Sequence, residues 1–127
     1  MTRIICEINC GNSPRAAMVR DFNIAFATGD AAAILAQMSD NLRWEMVGNK
    51  VIEGKQAAAE ALPEMLNEAA EEIEIKSIVT HGASAACDGT LTYAGGVRIG
   101  FCDVYEFTSA ASSGKIKVLR SYGVDLK

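Results

Sequence analysis

The chain reads as an α+β domain with its helices first and its strands after, the helices packed on one face of a curved sheet. Up to about residue 70, apolar residues recur at three- and four-residue spacing, as in Met18, Val19, Phe22, Ala25 and Phe26. From Glu72 onward the pattern changes to long strand-like segments. Short turn sequences separate these segments, so consecutive strands should fold back on one another as an antiparallel meander.

Residues 1–13 form an extended lead-in. Ser13 is placed to cap a first helix with Pro14 at its first position, and Gly29 ends it. Asp30 caps a second helix, in which Ala31, Ile34, Leu35 and Met38 repeat the apolar spacing. Asn41 to Met46 is a short strand containing Trp44, Gly48-Asn49-Lys50 is a turn, and Val51 to Gly54 is a second short strand. A third helix starts near Lys55, favoured by its alanines. Pro63 is expected to kink or divide it, and it fades by Ala70. Four strands follow: Glu72–His81, Ser84–Tyr93, Val97–Thr108 and Lys115–Asp125. Gly82-Ala83, Ala94-Gly95-Gly96 and Ala111 to Gly114 punctuate them.

With 127 residues the chain is one domain, 1–127, with enough length for a core. A net charge of -4 without a basic run argues against a nucleic-acid binder. No stretch approaches a membrane span and no signal-peptide pattern opens the chain, so the expected compartment is the cytoplasm. The four cysteines, Cys6, Cys10, Cys87 and Cys102, are read as reduced thiols. With His81 the only histidine, they supply no second ligand pair for zinc, and no metal or cofactor is expected.

The most informative residue is Asp103. On a strand it shares a face with Ile99, Phe101, Tyr105 and Phe107, so a carboxylate sits among aromatic rings. Burying it ionised and alone would be costly. It therefore reads as a pocket acid, with a hydrogen-bonded structural carboxylate as the plainer alternative. Burial should raise its pKa and keep it protonated as a donor or acid. Cys102 falls on the opposite face and reads as inert. Phe22, Phe26, Trp44 and Met46 read as pocket wall or core, and Tyr105 as a ligand donor or as packing.

Three features together resemble the cone-shaped nuclear transport factor 2-like fold, in its SnoaL-like branch. These are Thr28-Gly29-Asp30, Ile52-Glu53-Gly54-Lys55, and Gly114-Lys115-Ile116 followed by Leu119-Arg120-Ser121-Tyr122. The resemblance implies three N-terminal helices on a curved, mostly antiparallel sheet. It also implies an apolar pocket for a small apolar or partly polar ligand, with Phe101, Leu119 and Ser121 facing inward. The outer sheet face, carrying Arg120 and Tyr122, is then expected to form a homodimer.

Within the superfamily, the ketosteroid isomerases use an Asp base together with a Tyr and a protonated Asp, a system that also serves as a general reference case for pKa tuning. Asp103 matches the protonated Asp, but Phe22 stands at the tyrosine position and Met46 at the base. Epoxide hydrolysis would need a second aspartate where Ser121 stands. Cyclase chemistry would pair an acid with a histidine, here Asp103 with His81. The sequence thus predicts a small-molecule-binding protein anchored by Asp103, with acid/base catalysis of isomerase, cyclase or dehydratase type. A non-catalytic dimeric ligand-binding or interaction module is the alternative.

Overall fold

The capping signals act where the sequence places them in the computed structural model, which describes residues 1–127. The Ser13 side chain accepts from the Ala16 amide and opens α1 (Pro14–Thr28), and Gly29 closes it at φ 80°, a left-handed conformation that glycine adopts without steric penalty. Asp30 accepts from the Ala33 amide and starts α2 (Ala31–Ala36). This helix ends sooner than the spacing suggests. Met38 is buried as expected, but on a strand, β2 (Met38–Met46), where it pairs with Ile116. One apolar residue at helical spacing cannot distinguish the two settings.

A turn leads into β3 (Lys50–Glu53), and α3 (Lys55–Met65) follows. Pro63 does not divide α3. It sits in the last turn, so the missing N–H removes only one late bond, and the helix ends two residues on rather than near Ala70. The strands β4 (Glu72–His81), β5 (Ser84–Thr92), β6 (Arg98–Phe107) and β7 (Ile116–Leu126) then form the expected antiparallel meander.

The complete sheet runs β1-β4-β5-β6-β7-β2-β3. Part of the lead-in is itself a strand, β1 (Arg3–Cys6), which pairs in parallel with the start of β4. β2 also runs parallel to β7, so the sheet is mixed although mostly antiparallel.

Bulges on β4 and β7 help to curve the sheet. On β4 the register steps from Ile75 opposite Gly89 to Ser77 opposite Asp88, leaving Lys76 as the extra residue. On β7 the step from Val118 to Ile116 leaves Lys117 extra. Each bulge bends its strand and increases the local twist. The helices fill the resulting concave side, where Val19 and Phe22 of α1 and Leu62 of α3 meet Trp44, Ile73, Tyr105, Phe107 and Leu119 of the sheet.

Arg15, near the start of α1, reaches into this packing. Its guanidinium lies 3.6 Å over the Phe107 ring, and Nη2 donates to the carbonyls of Ser109 and Ala111 at 3.0 and 2.7 Å. It thereby ties the β6–β7 connection to the helix layer. No helix is long and apolar enough to cross a membrane.

Candidate functional site

Cross-strand register builds the site. Asp103 on β6 lies directly between Cys87 on β5 and Ser121 on β7, and Ser121 is in turn paired with Met46 on β2. Directly opposed residues share a face, so these four side chains form one row across the concave surface. The next row holds Ala85, Tyr105, Leu119 and Trp44. A cavity of about 410 Å³ opens over these rows. Phe22, Phe26, Trp44, Met46, Phe101, Asp103, Leu119 and Ser121 all line it. Edge-on aromatic contacts fix its wall, with Phe26 against Trp44 at 5.6 Å and Phe22 against Tyr105 at 5.8 Å between ring centroids.

The polar atoms form a short chain. The Trp44 indole N–H donates to Ser121 Oγ at 3.1 Å, and Ser121 stands directly opposite Asp103, where its hydroxyl favours the charged carboxylate. Two opposed effects set the acidity of Asp103. Burial among apolar side chains disfavours the charge, and the Ser121 bond favours it; burial prevails, and the pKa is pushed up to about 6. The rise has the expected direction and cause, and Ser121 opposes it. A carboxyl with a pKa of about 6 exchanges its proton readily near neutrality and can serve as a base. The residue keeps some exposure because its carboxyl lies at the floor of an open cavity.

Beside it, burial pushes the Cys87 thiol up to about 12 with help from the Asp103 charge, which leaves a poor nucleophile. Burial likewise raises the Cys102 thiol on the opposite face, and all four cysteines are free.

Two expected site residues lie elsewhere. His81 is exposed at the far end of β4, paired with Ser84, which is itself opposite Glu106. The Lys76 bulge explains this. An unbroken alternation from Ile73 and Ile75 would carry Ser77, Val79 and His81 inward as well. The extra residue reverses the parity, so Ile78 packs on the core while Val79 is exposed. His81 thus sits on the outer face and cannot meet Asp103.

Tyr105 shares the face of Asp103 but is fully buried, and its ring does not line the cavity. Its hydroxyl accepts from Asn23 Nδ2 at 2.8 Å, and burial raises its pKa well above the usual value. It is a core residue rather than a ligand contact.

Asn23 is the residue the sequence reading missed. It lines the cavity while only 4% exposed. A signal was present: Val19, Phe22, Asn23 and Phe26 share one helical stripe, and a single amide within an apolar stripe needs partners.

A mixed sheet curved around helices, with a cavity on its concave side, is the nuclear transport factor 2-like architecture. More narrowly, the SnoaL-like domain model matches residues 19–118, and the chain belongs to that family. Among solved structures it is similar to an LEH-like epoxide hydrolase of M. tuberculosis (26% identity, TM-score 0.71, covering 88% of this chain and 84% of that one). It is also similar to an NTF2-like protein of Cytophaga hutchinsonii (24% identity, TM-score 0.64, 86% and 98%). A third is an NTF-2 like protein of Burkholderia xenovorans (16% identity, TM-score 0.77, 94% and 89%). No curated protein matches the chain.

Proposed function

We propose that the protein binds a small, mostly apolar molecule in the concave cavity, and that Asp103 acts on it as the single acid/base group. The observation that carries this reading is one carboxyl at the floor of an aromatic cavity, held by a serine hydroxyl and facing no cation. Such a group titrates close enough to neutrality to take a proton and return it. Isomerisation, cyclisation and dehydration all require that step.

The details narrow the chemistry. Phe22 and Met46 both line the cavity, so the tyrosine and base of a ketosteroid isomerase are replaced there by apolar groups. The likeness to an epoxide hydrolase supports acid/base work on this sheet face. Here, however, Ser121 stands directly opposite Asp103 in place of a second carboxylate. The acid-histidine pair of a cyclase is absent because His81 is on the outer face. Asp103 with Ser121 is the arrangement that remains.

In a screen of small enones, hydroxyketones and epoxides, turnover should rise with pH through about 6, as Asp103 ionises to its basic form. Asp103→Asn should lower it by about a hundredfold or more. Turnover that is flat across this range, or that survives the substitution, overturns the assignment.

A second reading concerns the outer face, where a copy of the same chain is proposed to dock. Tyr122, Val124 and Leu126 alternate along the outside of β7, and Val124 is 64% exposed. A continuous apolar row on a monomer surface marks an interaction site. Light scattering is expected to give twice the chain mass, and Val124→Glu to reduce it to the chain mass. A wild-type protein that is monomeric at high concentration removes this reading and leaves the cavity proposal intact.

A further inference from the structure

The hydrogens of the buried polar groups around the cavity can be followed in turn. Both amide hydrogens of Asn23 are engaged: Nδ2 donates to the Val19 carbonyl at 2.9 Å and to the Tyr105 hydroxyl at 2.8 Å. The first of these bonds also fixes the orientation of the amide. Turned over, it would set its own oxygen against the Val19 oxygen. The Trp44 N–H is engaged by Ser121, whose own hydroxyl stands directly opposite the Asp103 carboxylate. The Tyr105 hydroxyl is sealed in the core.

The interior is therefore left with acceptors. No protein group donates to Asn23 Oδ1. The sealed polar side-chain atoms without partners are Nε and Nη1 of Arg15, so Asn23 Oδ1 is open to the cavity that Asn23 lines. The Asp103 carboxylate is the other interior acceptor. A ligand offering only a carbonyl or ether oxygen could reach the exposed Asn49 and Tyr122 side chains of the lining, but would leave Asn23 Oδ1 and the Asp103 carboxylate dry.

We infer that the ligand is an apolar molecule bearing a hydroxyl group, whose hydrogen Asn23 Oδ1 accepts. This rests on the cavity being the ligand site, and it adds a chemical class to that reading. A site built to satisfy a hydroxyl discriminates sharply against analogues that lack one, because its own buried polar atoms are then left without a partner. The aromatic wall suits the remainder of such a molecule, since Phe22, Phe26 and Trp44 present carbon surface to it.

Indane, 1-indanol and 1-indanone share one carbon frame and differ at one position, which makes them suitable probes. By titration calorimetry at pH 8, 1-indanol should bind about tenfold more tightly than 1-indanone, the equivalent of one net hydrogen bond. In nuclear magnetic resonance spectra of the wild-type protein, the Asn23 side-chain amide signals should move with the alcohol and not with indane. Asn23→Leu should bring alcohol and ketone to parity, while Asp103→Asn should keep the preference. Should Asn23→Leu not fold, the wild-type amide shifts decide the matter. Equal affinity for alcohol and ketone, or a preference that vanishes in Asp103→Asn alone, overturns the inference. Indane binding without any alcohol preference defeats the inference but spares the cavity reading, whereas failure of all three probes to bind defeats both.

Discussion

Asp103→Asn is expected to make the fold more stable at pH 8, by about 2–3 kcal/mol, in the same variant that loses its acid/base group. The carboxyl pKa rises from 3.8 to about 6 on folding, so the folded chain holds this proton more tightly than the unfolded chain. Its favourable contribution is complete below about pH 4 and is lost as pH rises through about 6. A shift of about two units corresponds to about 3 kcal/mol, with the lower figure reflecting water in the open cavity. Asparagine keeps the shape and an acceptor for Ser121 but carries no charge to desolvate. Urea unfolding should therefore separate variant and wild type widely at pH 8 and bring them together near pH 4. Equal stability at pH 8 would mean that the carboxylate is solvated in the folded state, and would remove the reason for its raised pKa. A gain in stability on removing a charged group is a signature of sites kept for function at the expense of the fold.

The arrangement around Asp103 was only partly legible in the sequence, and the division has physical reasons. Features set by local geometry could be read directly. The Ser13-Pro14 start, the Gly29 stop, the Asp30 cap and the span Glu72–His81 fall where their residues place them. Alternation along β6 put Asp103 on one face with Phe101, the family resemblance turned Leu119 and Ser121 of β7 inward, and all four line the cavity. Features set by distant partners could not be read. Residues 3–6 become a strand only because β4 offers an edge almost seventy residues away. The fate of His81 turned on one inserted residue, Lys76, which changes nothing in the local pattern yet reverses the face of every residue after it. Tyr105 gave up its expected part to Asn23, a residue the sequence reading had not singled out, for a related reason. The ring of Tyr105 fills the core, and the short amide of Asn23 faces the cavity.

Gly89→Ala is expected to be among the most damaging single substitutions in the chain, because curvature and site converge at that residue. Gly89 pairs with Ile75 at the edge of the β4 bulge and sits opposite Phe101 on the other side. A methyl group added there would overlap the carbonyl oxygen of Glu74 and lie 2.9 Å from the Phe101 ring. One of those neighbours is backbone within the sheet and cannot rotate away. The other forms part of the cavity wall. Overpacking of this kind costs about 3 kcal/mol or more when backbone must move. The least disruptive escape is for β4 and β5 to separate at the bulge, which would flatten the sheet and open the cavity toward solvent. The variant should show a lower urea midpoint. Any folded fraction should bind indane more weakly than wild type, with Asp103 titrating below 6 as water reaches it. Wild-type stability in Gly89→Ala would show that the bulge has slack, and that curvature here does not depend on the missing side chain. By contrast, Gly95→Ala meets no heavy atom within 4 Å and is strained only by its φ of 80°. That second glycine separates the cost of a positive φ, about 1–2 kcal/mol, from the larger cost of crowding the sheet that carries Asp103.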